Sequence, residues 1–233
     1  MKVSVAMATY NGEKFLKEQV DSILGQLGPD DELVVSDDGS SDRTLDILSS
    51  YKDKRIKIFE GPKKGIKQNF GNAISKCSGE IIFLSDQDDV WMSDKVAEVL
   101  GVFRKEDCQC VVHDCVVFDS DSGKVIYPSF FKWRGSRAGK WKNIWKNSYI
   151  GCCMAFRAEM RKYILPIPDN IEMHDQWIGI ICEKHGEGCF LKKKLIQYRR
   201  HGGNQTEMRR HGMMKMLRNR IVLLVNLAEA RRK

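Results

Sequence analysis

The sequence has no long apolar run and no other feature that would place it across a membrane or export it. No stretch approaches the roughly 20 apolar residues that a membrane-spanning helix needs. The chain starts directly with a strand-like segment and lacks the charged region, apolar region and cleavage site of a signal peptide. Internal repeats and low-complexity tracts are also absent. The sequence therefore predicts a globular, cytoplasmic protein.

The paired C-x-x-C spacing of zinc ribbons is missing too, although the chain has eight cysteines. Reduced and buried thiols are the favoured interpretation. A zinc site built from Cys108, Cys110, His113 and Cys115 is a weaker alternative, because alternation along a strand sends neighbouring side chains to opposite faces.

Length and composition fit one α/β domain, or one domain with a tail. The 233 residues are 42% hydrophobic, which suffices for a single substantial core. The net charge is +8, and the excess of basic residues is concentrated after residue 190. Such a segment is a candidate for contact with phosphates or anionic lipid, and its charge alone does not choose between them.

Short β-rich runs alternate with amphipathic helical patterns through the first 90 residues. Four strands joined by helices over this length predict a parallel, right-handed α/β sheet. The predicted strands lie at 3–8, 32–36, 55–59 and 81–85, and later elements are a helix at 94–103 and strands at 111–118, 150–156 and 195–198.

Three carboxylates, Asp86, Asp88 and Asp89, follow the fourth strand within four positions. Carboxylates this close repel one another, and a hard cation such as Mg²⁺ or Mn²⁺ among them keeps them ionised. The alternative is a solvated acidic turn, because aspartate is common in turns.

Polar residues also follow the first two strands. Asp37 and Asp38 end the second strand, and Thr9, Tyr10 and Asn11 end the first. Ligands of open parallel sheets bind outside the carboxyl ends of the strands. We therefore expect these turns and the acidic turn after the fourth strand to face one cleft.

The segment 119–150 shows little periodicity and combines aromatic residues with Lys and Arg. It is either a packed irregular segment or a binding loop suited to a sugar or lipid acceptor.

Two later groups of residues are candidates for catalysis or ligand binding. His174 and Asp175 precede an apolar helical pattern, where Asp175 is either a stabilising acid of the first turn or a carboxylate placed to take a proton. The last predicted strand is followed by Arg199, Arg200 and His201, two cationic side chains and a potential metal ligand.

Taken in order, residues 8–12, 37–42, 85–89 and 174–175 resemble the motifs of the inverting family 2 glycosyltransferases. Their order and spacing over residues 1–205 make the resemblance specific, since each motif alone is weak. The Asp-Gln-Asp-Asp-Val-Trp version also resembles the rhamnosyltransferases of bacterial surface polysaccharides. The resemblance implies the A-type glycosyltransferase fold, a mixed, mostly parallel sheet flanked by helices.

The resemblance implies a nucleoside-diphosphate sugar as donor, and the residues that bind it. Asp38 would accept a hydrogen bond from a pyrimidine imide nitrogen, which favours UDP or dTDP. Asp86 and Asp88 match the Asp-x-Asp motif that holds Mn²⁺ or Mg²⁺ against the two phosphates, and His201 completes the metal shell or binds the diphosphate. Lys63 and Arg199 are further candidates for phosphate contact. The implied donor-binding residues are Thr9, Tyr10, Asn11, Asp38, Lys64, Asn69, Asp86 and Arg200.

Asp175 matches the general base that removes a proton from the acceptor hydroxyl as that oxygen attacks the anomeric carbon. One such displacement inverts the anomeric configuration. The acceptor would be a glycan or a lipid-linked saccharide, with no nucleic-acid partner. His174 replaces the commoner Glu, which leaves the role of Asp175 intact. The implied acceptor-binding residues are Trp91, His174, Gln176 and Trp177.

The expected organisation is a catalytic domain at 1–205 and a basic amphipathic helix at 206–233. Residues 1–118 would form the nucleotide-sugar half and residues 119–205 the acceptor half. The C-terminal helix would dock on this domain, dimerise with another subunit or lie on the inner membrane surface.

Two competing functions remain open on sequence. A nucleotidylyltransferase normally needs a glycine-rich basic loop after the first strand, whereas residues 9–13 have one glycine followed by an acid. A non-catalytic module that binds a nucleotide sugar or a glycan would need neither Asp175 nor turnover.

Overall fold

The computed structural model describes residues 1–204 and 212–230. The strands in these residues are β1 (Val3–Thr9), β2 (Glu32–Asp37), β3 (Ile56–Glu60), β4 (Ile81–Ser85), β5 (Val90–Trp91), β6 (Cys108–Asp119), β7 (Val125–Tyr127), β8 (Met154–Arg157) and β9 (Glu187–Arg200). The helices are α1 (Leu16–Leu24), α2 (Thr44–Ser50), α3 (Ile66–Lys76), α4 (Lys95–Lys105), α5 (Phe130–Arg134), α6 (Lys140–Trp145), α7 (Arg161–Ile164), α8 (His174–His185) and α9 (Met213–Glu229).

These strands form one sheet in the order β3-β2-β1-β4-β8-β6-β9-β5, with β7 paired to β6. β1, β2, β3 and β4 are parallel to their neighbours within that group, and β6 is parallel to β9. β8 runs antiparallel between β4 and β6, and β5 runs antiparallel to β9. The predicted fold class, a mixed and mostly parallel sheet flanked by helices, is confirmed.

The core lies on both faces of the parallel part of the sheet. Every residue of β1, β2 and β4 is buried, as expected for parallel strands covered by helices on both sides. α1 turns Leu16, Val20 and Ile23 towards the sheet at helical spacing. This packing fixes the carboxyl ends of β1, β2 and β4, the edge where the polar turns lie.

The structure differs from the sequence prediction in the second half of the chain. The predicted strand at 195–198 is part of a 14-residue strand, β9, which starts at Glu187 and includes the exposed lysines at 192–194. The predicted strand at 150–156 begins as a 3₁₀ turn, and only β8 is extended. The irregular segment 119–150 contains β7, α5 and α6.

All eight cysteines are free thiols, and seven are buried. His113 has its Nδ1 2.8 Å from the backbone oxygen of Asp114 and is itself buried. Within the described residues, the alternative zinc ligands near His113 do not converge into a metal-binding group. The interpretation as reduced, buried thiols therefore agrees with the structure.

Glu32 in β2 is a buried carboxylate held by its neighbours. It accepts hydrogen bonds from the hydroxyl of Ser4 (2.5 Å), from the backbone and hydroxyl of Ser78 (2.6 and 2.9 Å), and from the ammonium of Lys57 (2.6 Å). Burial raises the pKa of Glu32, but these hydrogen bonds outweigh burial and lower the pKa from 4.5 to about 2. Its stabilising effect is therefore complete above about pH 4.5 and is lost as the pH falls towards 2.

Replacing Glu32 with Gln should lower the free energy of unfolding by about 2 kcal/mol at pH 7, because charge-assisted hydrogen bonds are lost inside the sheet. The difference from wild type should shrink as the pH falls below 4.5. Urea unfolding at pH 7 and at pH 3 measures both effects. Glu98→Gln is the matched control, since Glu98 pairs with Lys193 at the surface, and its effect should stay below about 1 kcal/mol. Equal losses in the two variants would contradict this account of Glu32.

Candidate active site

A cleft of about 1500 Å³ opens at the carboxyl ends of β1, β2 and β4. Thr9, Asp38 and Asp86 line it from the ends of these three strands. The opposite wall comes from residues 130–151 and 172–176, and one side from α9. The expected convergence of the polar turns on one cleft is therefore observed.

Two carboxylates after β4, Asp86 and Asp88, face the cleft, whereas the third, Asp89, is buried behind them. Burial and the neighbouring charges of Asp88 and Asp175 raise the pKa of Asp86 to about 7. Asp89 accepts a hydrogen bond from the backbone of Arg199 (2.9 Å), and burial holds its pKa well above the ordinary value. A divalent cation between Asp86 and Asp88 would favour their ionised forms.

His201 lies beside these acids as the sequence suggested. Its Nε2 is 2.8 Å from a carboxylate oxygen of Asp88, and the side-chain amide of Asn204 is 3.3 Å from the same oxygen. Carboxylate oxygens and an imidazole nitrogen are a donor set that suits Mn²⁺ and also accommodates Mg²⁺. Asp86, Asp88 and His201 thus fit a divalent cation.

A second group of possible ligands lies deeper. Side-chain atoms of Asp86, Asp89 and Cys152 lie within 4.8 Å of one another. Burial raises the pKa of the Cys152 thiol well above its ordinary value, and a protonated thiol is a poor ligand. The cleft-facing donors are therefore the better candidates for metal binding.

Most residues expected around the nucleotide line the cleft, but three of them also hold the loops together. The hydroxyl of Thr9 donates to Asp37 (2.9 Å), and the side-chain oxygen of Asn11 accepts from the backbone of Ser41 (2.8 Å). Asn69 donates to the backbone oxygen of Thr9 (3.1 Å). These contacts tie the turns after β1 and β2 into one structure.

Tyr10 and Asp38 are the residues of this group that stay available for contact with a nucleotide base. Tyr10 is 55% exposed, so its ring is available for stacking on a base. Asp38 accepts hydrogen bonds from the backbone of Lys63 (2.6 Å) and Gly65 (2.8 Å), one on each carboxylate oxygen. Each oxygen keeps a second lone pair, so Asp38 can still accept a hydrogen bond from a base.

Two of the expected phosphate contacts need correction. Lys64 is exposed outside the lining of the cleft, whereas the neighbouring Lys63 lines it and pairs its ammonium with Glu60 (2.8 Å). Arg199 is held by Glu18 (2.5 Å) and by the backbone oxygen of Asp88 (2.7 Å), so it braces the acidic turn. Arg200 does line the cleft.

Asp175 lies in the first turn of α8 and faces the cleft while remaining 8% exposed. Burial raises its pKa to about 6, against hydrogen bonds from the backbone of Gln176 (2.5 Å) and the amide of Asn147 (3.4 Å). Its charge in turn raises the pKa of Asp86. The two carboxylates therefore share one electrostatic environment, and the raised pKa of Asp175 is of the kind found at functional sites.

Two of the four expected acceptor-binding residues lie at the cleft. Gln176 lines it and donates to the backbone oxygen of Asn143 (2.8 Å). His174 also lines it, stacked on Phe70 with ring centroids 4.1 Å apart. Burial lowers the pKa of His174 to about 3, so its ring is neutral.

The two tryptophans do not reach the cleft, which corrects that part of the prediction. Trp91 is 3% exposed and packs against Phe83, with the ammonium of Lys95 3.8 Å from its ring centroid. Trp177 is equally buried, and its indole donates to the backbone oxygen of Ile164 (2.9 Å). Both side chains are on the core side of their elements, so they support the site from behind.

The C-terminal helix packs on the rest of the described chain, which is one of the alternatives that the sequence left open. α9 buries Leu223 and lines the cleft with Lys215 and Arg220. Arg220 donates to the backbone oxygen of Trp145 (2.5 Å). Residues 206–211 and 231–233 of the predicted segment lie outside the described residues.

None of the helices in residues 1–204 and 212–230 is both long and apolar enough to traverse a bilayer.

Sequence reasoning missed Gln87, Asn147 and Asn204. Gln87 lies between two aspartates and exchanges hydrogen bonds with the backbone of Tyr10 (2.8 and 3.0 Å). Asn147 lies in the segment without periodicity, and Asn204 follows the last strand. Amide side chains carry no charge signal, so only the fold shows that they contact the site.

Known proteins resemble the chain in sequence. The Glycosyl transferase family 2 profile matches residues 4–165. The dTDP-rhamnosyl transferase RfbG of Shigella flexneri is 29% identical over 224 residues, covering 86% of this chain and 73% of its own. The chain spans 57% to 73% of the length of three such curated relatives.

Solved structures resemble its fold. S. aureus TarS 1-349 in complex with UDP-GlcNAc superposes with a TM-score of 0.77 at 19% identity, covering 97% of this chain and 67% of that one. The mannosyltransferase PcManGT of Pyrobaculum calidifontis, in complex with GDP-Man and Mn²⁺, gives 0.66 at 20% identity, covering 100% and 64%. The profile match covers more than half of the sequence, so the chain belongs to glycosyl transferase family 2.

Proposed function

We propose that the protein transfers a sugar from a UDP- or dTDP-linked donor to a hydroxyl of a glycan or lipid-linked saccharide, with inversion at the anomeric carbon. The observation that carries this proposal is the shared cleft of Asp175 with Asp86 and Asp88. The acidic turn would hold a cation that stabilises the leaving group, and the separate buried carboxylate would take the proton of the acceptor in a single displacement. RfbG, named as a dTDP-rhamnosyl transferase, supports dTDP-rhamnose as one donor to test.

The donor would bind across the ends of β1, β2 and β4. Tyr10 is exposed for stacking on the base, and Asp38 is placed to accept a hydrogen bond from its imide nitrogen. Lys63 and Arg200 bring positive charge to the same cleft, where they would bind phosphate oxygens.

Asp86, Asp88 and His201 would hold the divalent cation. When bound, Mn²⁺ or Mg²⁺ supplies Lewis-acid stabilisation of the negative charge on the departing diphosphate. PcManGT, whose structure contains Mn²⁺, supports a metal at such a site.

Asp175 would act as general base towards the acceptor hydroxyl. Its pKa is raised to about 6, which makes it a stronger base than an exposed aspartate and still leaves it mostly ionised at neutral pH. The amide of Asn147 and the backbone of Gln176 hold its carboxylate in place. The acceptor would enter along the wall formed by residues 130–151, and its oxygen would lose a proton to Asp175 as the new bond forms.

Nucleotide binding should depend on metal. Isothermal titration of UDP and of dTDP should give at least about tenfold tighter binding with Mn²⁺ than with EDTA, because a cation held by Asp86 and Asp88 would neutralise the charge of the diphosphate. The comparison of the two nucleotides also identifies the base. ADP is the control ligand, since its base lacks the imide nitrogen that Asp38 would recognise. Equal binding with Mn²⁺ and EDTA would contradict a metal-assisted donor site.

A further inference from the structure

α9 has two different faces. One face packs on the domain through Leu223, and Met216 and Arg220 line the cleft. The opposite face is apolar yet open to solvent. Its residues recur at three-, four- and seven-residue intervals, within about 100° of the helix circumference. They are Met214, Leu217, Ile221, Leu224 and Val225, each between 43% and 84% exposed.

Two tryptophans of α6 extend this apolar stripe. Trp141 and Trp145 are 67% and 63% exposed, and they are four residues apart on one face of α6. Arg220 joins the two helices, since its guanidinium lies 5.1 Å from the Trp145 ring centroid and donates to the Trp145 backbone oxygen. We call the five apolar residues of α9 and these two tryptophans the α6–α9 face.

The charged residues around the α6–α9 face are mostly basic, and Glu229, at the end of α9, is the one acid of that helix. Between Asp121 and Glu159 the sequence contains eight lysines and arginines and no acid. Residues 208–228 are also free of acids. Lys146, Lys215 and Arg218 are exposed beside the apolar residues. Apolar residues on one stripe with cations along its edges are typical of a helix that lies in the interface of an anionic membrane.

We propose that the α6–α9 face lies on the surface of a bilayer that contains anionic lipid. The apolar side chains of α9 would enter the boundary between headgroups and acyl chains. Trp141 and Trp145 would lie at headgroup level, where indole rings are favoured. Lys146, Lys215 and Arg218 would contact lipid phosphates. This inference goes beyond the proposed activity and does not depend on it.

Charge argues against a second copy as the occupant of this face. Two copies joined symmetrically through it would bring their cations together, and like charges across an interface oppose association. An anionic bilayer complements the cations. Trp145 lines the cleft as well as the α6–α9 face, so a bilayer on this face would lie beside the cleft mouth.

Sedimentation with vesicles tests the proposal on the full chain, without donor or acceptor. We expect the protein to bind vesicles of phosphatidylcholine with phosphatidylglycerol, and to bind phosphatidylcholine alone at least about tenfold more weakly. The triple variant Leu217→Gln, Ile221→Gln, Leu224→Gln should lose at least about tenfold in binding to the anionic vesicles. The control triple variant Leu45→Gln, Ile58→Gln, Val125→Gln changes exposed apolar residues elsewhere and should bind like wild type.

A charge variant separates the electrostatic contribution to vesicle binding from the apolar contribution. Lys146→Gln, Lys215→Gln, Arg218→Gln should weaken binding to anionic vesicles, and raising the salt concentration should weaken wild-type binding in the same way. Circular dichroism and thermal unfolding check that the variants keep the fold. Absence of wild-type binding, or equal loss in the α9 and control triple variants, would overturn the proposal. A wild-type dimer in solution that the α9 triple variant converts to a monomer would instead assign the face to a second copy.

Discussion

Replacing Asp175 with Asn should lower sugar transfer by about 10²- to 10⁴-fold, the range expected when a general base is lost. Donor affinity should stay within about threefold of wild type, because a general base would act on the acceptor rather than on the nucleotide. Release of nucleoside diphosphate from dTDP-rhamnose and from UDP-sugars, with a lipid-linked saccharide fraction as acceptor, measures transfer. Isothermal titration measures donor affinity.

Wild-type transfer should also fall as the pH drops below about 6. Burial raises the pKa of Asp175 to that value, and its protonated form cannot accept the acceptor proton. The residual activity of Asp175→Asn should not show this dependence. Asp46→Asn, at an exposed position of α2, is the matched control and should leave transfer unchanged. Normal transfer by Asp175→Asn, or a loss of its donor binding instead of its transfer, would contradict the general-base assignment. Donor binding without any transfer by wild type would favour a non-catalytic module.

Replacing Asp88 with Asn should lower transfer by about 100-fold or more, because the diphosphate would lose much of its metal-assisted charge stabilisation. UDP and dTDP should then bind with similar affinity in Mn²⁺ and in EDTA. The same nucleotide titrations, repeated on the variant, measure this loss.

Metal-dependent binding by wild type should weaken as the pH falls through 7. Burial and the neighbouring charges of Asp88 and Asp175 raise the pKa of Asp86 to about 7, so protons compete with the cation for that carboxylate. Asp46→Asn again serves as control. Metal-dependent nucleotide binding that survives in Asp88→Asn would contradict the role of Asp88 as a ligand. It would indicate that Asp86 and Asp89 hold the cation instead.

The first half of the fold could be predicted because its signals are local. β1, β2 and β4 are buried on both faces and read as apolar runs, and polar residues follow each of them directly. Parallel topology then brings those residues to one edge. The positions of Asp38, Asp86 and Asp88 in the cleft follow from this rule.

The second half resisted prediction because its structure depends on distant contacts. β9 carries exposed lysines in its middle and is recognisable mainly through its pairing with β6. Trp91 and Trp177 stand next to motif residues, but local sequence does not show which face of an element is buried. The place of Lys63 at the rim of the cleft depends on the loop after β3, whose backbone donates to Asp38, a residue 25 positions away.

The docking of α9 bears on how this chain could be recombined with its relatives. Leu223 is 3% exposed, and Arg220 holds Trp145, so the last described helix completes a wall that residues 130–151 begin. A fragment that ends at residue 205 would lack α9. The surface that buries Leu223 and the contact of Arg220 with Trp145 would then be exposed to solvent. Chimeras designed to exchange acceptor preference therefore have to carry α6 and α9 together, although nearly seventy residues separate the two helices along the chain.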